Sequence, residues 1–347
     1  MSNVEDLYFP AEWHEQDFIQ LTWPHAKSDW YYMLNEVEDC FIEIAKAISK
    51  REKLLIATPE KEKVEKILDR SGAQMDNIVV FSCQSNDTWA RDHGFITLLE
   101  KGNGKQHYLD FCFNGWGKKF KADLDNAINK QLYDCGIVKG VYRDMNNWVL
   151  EGGSIETDGK GTLLTTSQCL LAPNRNSMMQ YNLEAALTSM LHCNRVLWLD
   201  YGNLIGDDTD GHIDTIARFT PGDTIVYMSP NKDDEEQYYD LSMMEKQLHD
   251  FRTAEGNPYR LLALPSPRPI YDEDGERLPA TYANFLIMNS AVLYPTYAQP
   301  ENDAAAAEVL RTAFPDKEIV GIDCRALIKQ HGSLHCVTMQ YPSPDNI

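Results

Sequence analysis

The chain has 347 residues, is 43% hydrophobic with plentiful Trp, Tyr and Phe, and sets 32 basic against 53 acidic side chains for a formal net charge of -21. That apolar content excludes a disordered chain and can fill a large core, while the length alone leaves one large domain or about two ordinary ones open. The charge argues against nucleic acid or an anionic membrane as partner and only weakly for a cation, because most such acids belong to an ordinary solvated surface.

Helices and strands alternate along the chain. "NEVEDCFIEIAKAISKREKLLI" has helical apolar spacing and runs into a strand at Leu54–Ala57, and "KEKVEKILDRSG" is a second helix closed by Gly72. "NIVVFSC" is β-rich, and "EGGSIETDGKGTLLTT" reads as two strands around an Asp-Gly turn. "NRVLWLDYG", "DTIARFT" and "DTIVYMS" read as strands, and "LSMMEKQLHDFRTAEG" and "ENDAAAAEVLRTAF" as helices. "SPRPIYDEDGERLP" reads as a long acidic loop, and "NFLIMNSAVLYPTY" as two strands about Asn289-Ser290. No Pro- or Gly-rich linker splits this pattern, so the expectation is an α/β or α+β architecture in a single domain over residues 1–347.

Eight cysteines occur without a Cys-x-x-Cys pair. The opening "MSNVEDLYFPAEW" has no basic or apolar run of the signal-peptide kind, and no apolar run approaches the roughly 18 residues of a membrane span. The expectation is a reducing cytoplasm with free thiols, most of them small core residues and one a candidate nucleophile.

The polar clusters "NDTWARDHG", "EGGSIETDG" and "DGHIDTIARF" place Asp92, Glu151 and His212 at intervals of 59 and 61 residues. "YANFLIMN" follows about one period later and "HGSLHCVTMQYP" closes the chain. Such spacing suggests a repeated α/β module whose copies each deliver one loop or strand end to a common centre, although three marks can fall evenly by chance and the copies share no visible sequence.

Each cluster has a plain reading beside a chemical one. Taken as strand residues, His212 and Asp214 face one side, where a carboxylate favours the protonated ring and suits a general acid/base. A calcium loop through "DDTDG" fails, since with Asp208, Asp210 and Gly211 as its third, fifth and sixth positions the first is Gly206 and the twelfth Ala217. Asp207 to Asp210 make an ordinary surface turn. Trp89, Arg91 and Asp92 alone could be a core tryptophan beside a surface ion pair, and the glycines after Glu151 allow close backbone approach. A metal set of His331, His335 and Cys336 is strained, because strand neighbours point to opposite faces and Gly332 argues against a helix. A buried core cysteine is the other reading of Cys336. If Asp92, Glu151, His212, Asp214 and Cys336 converge, three carboxylates surround a thiol and raise its pKa, which is wrong for an ordinary Cys-His hydrolase. The set makes sense if the substrate brings the positive charge: a guanidinium matches carboxylates through its planar fork of N–H donors, and once bound it favours the thiolate.

In that order, "NDTWARDHG", "NGWGKKF", "EGGSIETDG", "LLAPNRN", "DGHIDTIARF", "YANF" and "HCVTMQYP" resemble the motifs of the agmatine deiminase and bacterial-type peptidylarginine deiminase family, and "FPAEWHEQDFIQLTWP" resembles its opening. The likeness runs from Phe9 to Pro342. It implies a pentein fold, a five-bladed α/β propeller of repeated ββαβ-type units around a central polar site. It also implies Cys336 as nucleophile, His212 as general acid/base, Asp92 and Asp214 as guanidinium ligands, Glu151 as support for the histidine and Trp89 as a wall for the substrate's alkyl stem. By the same likeness Cys336 attacks the guanidinium carbon, ammonia leaves, and water releases a ureido product from an S-alkylthiouronium, with no metal or organic cofactor. The chain departs from the family pattern at Phe95, where proline is usual, at Met339 and Tyr341, and at His331, where glycine is usual. The expected function is that of a cytoplasmic hydrolase converting agmatine to N-carbamoylputrescine and ammonia, a step of polyamine (putrescine) biosynthesis. Its partner is then a small cationic guanidine, and a homo-oligomer is compatible with the sequence. Peptidylarginine deimination, amidino transfer and binding of polyamine-like cations without turnover are the alternatives.

Overall fold

The structure, a computed structural model, describes residues 6–344. The helix Leu34–Ser49 turns Val37, Phe41, Ile44 and Ile48 to one buried face, as its apolar spacing dictates. The strand that follows, Lys53–Thr58, is buried from Leu54 onward, the unbroken apolar run of a parallel strand covered on both sides. The helix Lys61–Ser71 stops at Gly72, whose φ of 81° gives the left-handed turn that glycine adopts without a Cβ penalty.

Five sheets share one plan: a first strand pairs antiparallel with a second, and the second pairs parallel with a third reached by a crossover. They are Ile96–Glu100, Gln106–Cys112 and Val141–Val149; Ile155–Thr157, Thr162–Thr166 and Arg195–Leu199; Ala217–Thr220, Thr224–Met228 and Arg260–Leu264; Leu286–Ile287, Ala291–Thr296 and Glu318–Asp323; and Thr338–Pro342, Gln16–Thr22 and Lys53–Thr58. This is the repeated ββαβ-type unit of the pentein fold. The last sheet draws its first strand from the end of the chain and its second from the beginning, so pairing Thr338 with Leu21 closes the ring of repeats. Long helices make four of the crossovers: Leu34–Ser49, Gln180–Met190, Glu235–Asp250 and Pro300–Ala313. Ile78–Ser82 extends the closing sheet, and Leu7–Tyr8 edges the first.

Two local expectations need correction. The acidic stretch read as a loop contains a hairpin, Ile270–Tyr271 with Arg277–Leu278, turned at Gly275. His212 and Asp214 do not lie within a strand: Ile213–Thr215 is a single 3-10 turn, and the strand starts at Ala217.

Three of the four departures from the family pattern, Phe95, Met339 and Tyr341, pack together, while His331 lies apart from them. The Phe95 N–H donates to Tyr341 Oη at 3.3 Å, and that hydroxyl donates to Gln20 Oε1 at 2.7 Å. A proline at position 95 has no such N–H, so Phe95 and Tyr341 form one matched exchange. Met339 fills the space beside Gly94 and Gly152, where an added Cβ would come within 2.8 Å of its side chain in either case. No helix among the described residues is long and apolar enough to cross a membrane.

Candidate active site

In each of these five sheets a polar residue lies just ahead of the first strand. Asp92 sits in the turn Ala90–His93 before Ile96–Glu100, and Glu151 precedes the turn Gly152–Ser154 and the strand Ile155–Thr157. His212 and Asp214 belong to the turn before Ala217–Thr220, Asn284 precedes Leu286–Ile287, and Cys336 precedes Thr338–Pro342. The regular spacing of the polar clusters is therefore the length of the repeat, and the five strand starts carry the site.

The distances bring the five expected residues together. Cys336 Sγ lies 3.9 Å from Asp214 Oδ2 and 3.4 Å from Asn284 Oδ1, which also accepts the backbone N–H of His335 at 2.8 Å. His212 Nδ1 is 3.6 Å from Asp92 Oδ1. Asp92 is fixed from both sides, with Oδ1 accepting from Gly153 N at 3.0 Å and Oδ2 from Trp116 Nε1 at 2.9 Å. Asp214 Oδ2 faces His335 Nδ1 at 2.8 Å, while its Oδ1 is buried with no hydrogen-bond partner among the described residues. Gly153 is where the backbone must come close: a Cβ there would sit 2.6 Å from His212 Nδ1, 2.9 Å from Asp92 Oδ1 and 3.2 Å from Asp214 Oδ2. Gly153→Ala should therefore cut kcat/KM by about 100-fold or more, because it displaces three side chains of the candidate site at once. Steady-state kinetics beside a thermal melt would check this, and a variant with parental kinetics would show that the three side chains do not need this geometry.

Burial sets the charges. Burial, then Asp214 and Glu151, raises the pKa of Asp92 well above the ordinary carboxylate value. Burial would raise Asp214 too, but the hydrogen bond and charge of His335 outweigh it and hold Asp214 low. Burial lowers His212 to about 4 against the pull of Asp214. Burial, then Asp214 and Asp92, pushes the Cys336 thiol well above its usual range. In the free protein the sulfur and the imidazole are thus neutral and Asp214 is the anion, and a planar cation stacked against the sulfur would keep that anion and favour the thiolate.

Around this centre the acids divide by role. Asp214 is in the site and Asp208 lines the cavity above it. Asp207 instead closes its own turn through Thr209 and Gly211 N, and Asp210 pairs with Lys119 and Arg175 at 2.7 Å each, so these two are structural. Arg175, buried, also donates to Glu151 Oε1 at 2.7 Å and to Thr209 O at 2.9 Å, tying Glu151 to the turn that carries His212. Glu151 and His212 make no direct hydrogen bond: Glu151 Oε2 and His212 Nε2 both lack a partner among the described residues. The metal set of His331, His335 and Cys336 does not form. His331 Nδ1 meets Gly206 O at 2.9 Å, while His335 bridges Asp214 and Glu12, with Nε2 2.9 Å from Glu12 Oε2.

The cavity over Cys336 is walled by Trp89 and Trp116 and rimmed by Asp29, Asp87, Asp208 and His331. Trp89 lies so close to Gly332 that a Cβ there would be 2.0 Å from its ring. Burial, with Asp29 nearby, lifts Asp87 to about 6. Sequence reasoning left Asn284, Arg175, Trp116, Glu12 and Arg218 without roles. Their stretches were visible, but each acts through a contact with a distant segment. Trp116 reaches Asp92 only because Trp116, Gly117 and Lys118 all take positive φ (53°, 86° and 67°), which a motif string does not disclose.

Residues 8–342 match the family described as Porphyromonas-type peptidyl-arginine deiminase. A curated relative from Yersinia pseudotuberculosis, provisionally named agmatine deiminase, is 31% identical, the match covering 98% of this chain and 96% of the relative. Among solved structures, one from Porphyromonas gingivalis provisionally described as an arginine deiminase is 50% identical with a TM-score of 0.92, covering 97% of this chain and 99% of that one. The C. jejuni agmatine deiminase, as a Cys-to-Ser variant with substrate bound, is 36% identical with a TM-score of 0.90, covering 99% and 98%.

Proposed function

This chain belongs to the Porphyromonas-type peptidyl-arginine deiminase family, and from that premise we propose that it hydrolyses agmatine to N-carbamoylputrescine and ammonia through a covalent adduct on Cys336. The reaction class, hydrolysis of a guanidinium C–N bond, is that of its agmatine deiminase relatives. The choice of agmatine rests on one observation: three carboxylates, Asp29, Asp87 and Asp208, rim the narrow cavity above Cys336. They suit a second cation at the far end of the substrate, whereas a peptide would present neutral amides there.

The guanidinium lies between Asp92 and Asp214, its N–H donors satisfying Asp214 Oδ1, and Trp89 flanks the alkyl stem. The bound positive charge lowers the thiol pKa. Neutral His212 takes the Cys336 proton as Sγ bonds to the guanidinium carbon, then passes that proton to the departing nitrogen. Ammonia leaves and an S-alkylthiouronium remains. His212 next removes a proton from water, whose oxygen adds to the same carbon. The C–S bond breaks, the thiol regains its proton and the ureido product departs. Glu151, held by Arg175, supports the imidazole by its charge, and Asn284 orients the sulfur.

Peptidyl arginine is the second reading, favoured by the family description. Incubation with agmatine, free arginine and an arginyl peptide, reading ammonia and ureido product, should show turnover of agmatine alone. Turnover of the peptide alone would promote the second reading. Tight agmatine binding without turnover of any substrate would mean a cation-binding protein.

A further inference from the structure

Two groups of three ligand-type side chains stand close enough among the described residues to share one cation: Glu12, Glu156 and His335, and Glu151, Cys169 and His212. All six are buried, and within each group one donor atom per residue lies within 4.8 Å of the others. The first group already holds a cation of the protein's own, because Arg218 bonds Glu12, Glu156 and His335 Nε2. In the second, Arg175 engages only Glu151 Oε1, and Glu151 Oε2 and His212 Nε2 are buried with no hydrogen-bond partner among the described residues. We propose that Glu151, Cys169 and His212 bind zinc or a similarly soft divalent cation, and that occupation of this site switches the enzyme off by capturing His212.

The donor set is the argument. Thiolate, imidazole and carboxylate together select zinc or cadmium over magnesium or calcium, which prefer oxygen alone. Zinc binding releases the Cys169 proton to solvent, and the resulting thiolate and the Glu151 carboxylate together offset the charge of the ion, while Asp210 offsets that of Arg175 at 2.7 Å. The three ligands are preset by the fold. Cys169 lies in the one-turn helix Ser167–Leu170, where Thr166 Oγ1 accepts its backbone N–H at 3.2 Å. The same hydroxyl donates to Gly211 O at 2.6 Å, next to His212. Donors at zinc distance stand roughly 3.3–3.7 Å apart, so the side chains need draw in by only about 1 Å. A ring held by a metal through one nitrogen keeps its proton on the other and cannot shuttle it. Loss of turnover rests on the proposed role of His212, but metal binding does not.

The test uses the full chain, dialysed against a chelator and then given zinc, with bound metal measured after gel filtration. Cadmium in place of zinc reports a thiolate ligand by its charge-transfer absorbance. Zinc should bind one ion per chain and abolish agmatine turnover, EDTA should restore it, and magnesium should do nothing. Cys169→Ala should turn over like the parent but bind zinc about 100-fold more weakly and lose the cadmium band. Cys336→Ala should bind zinc undiminished. Absence of bound zinc, or zinc binding that depends on Cys336 and not Cys169, would overturn the site. Zinc bound through Cys169 with turnover intact would overturn the switch.

Discussion

Cys336→Ala should lower kcat by about 10⁵-fold or more, the scale of losing a covalent nucleophile, while Cys193→Ala leaves it unchanged. All eight cysteines are free, and most are buried, so neither burial nor redox state singles one out. Position does. Cys336 alone heads the first strand of a sheet beside Asp214 and Asn284, whereas Cys193 packs in an apolar cluster with Leu183, Leu187 and Leu191. The raised pKa of Cys336 is no argument against it: burial raises it most, and the two carboxylates that add to it, Asp214 and Asp92, are those a guanidinium would cover. Ureido product gives the rate, and mass analysis of acid-quenched parent enzyme should reveal a substrate-minus-ammonia adduct on the peptide containing Cys336. Equal losses in both variants would put the nucleophile elsewhere.

What the sequence disclosed follows from what is local. The amphipathic helix ending at Gly72 and the strands about Asp158-Gly159 and Asn289-Ser290 depend on periodicity and turn chemistry within a few residues, and they stand where the pattern puts them. The repeat was legible as spacing because each unit needs about the same length to make a hairpin, a crossover and a third strand. The strand at His212 was misread because "HIDTIARF" alternates like a strand, while the 3-10 turn at Ile213–Thr215 is set by Thr215 Oγ1 donating back to His212 O at 2.7 Å. The roles of Asp207 and Asp210 could not be read from their crowding around His212, because their partners, Lys119 and Arg175 for Asp210 and the local turn for Asp207, come from the folded arrangement. Likewise Glu12 meets His335 across 323 residues and Arg218 across 206, contacts that only closure of the ring creates.

Asp214→Asn should lower kcat/KM by about 10³–10⁴-fold and at the same time make Cys336 easier to alkylate with a small neutral reagent. Asp214 serves two partners. Its Oδ2 meets His335 and lies 3.9 Å from the Cys336 sulfur, and its unpartnered Oδ1 is free to take a guanidinium donor. An amide keeps the shape and an acceptor oxygen for His335 but loses the charge that the cation needs, so substrate capture and orientation fail together. The sign for the thiol is opposite. The Asp214 charge raises the Cys336 pKa, so removing it lowers that pKa, enlarges the thiolate fraction at any fixed pH below it, and speeds reaction with iodoacetamide, which carries no cation of its own. The alkylation profile should shift to lower pH while the burial contribution remains. The imidazole pKa falls as well, because Asp214 supports protonation of His212 and its loss drives the ring further toward the neutral form. Peptide mapping of Cys336 alkylation against pH, run beside kcat/KM on agmatine, separates these effects. Slower alkylation together with slower turnover would mean that Asp214 activates the thiol directly, and the substrate-assisted mechanism would have to be abandoned.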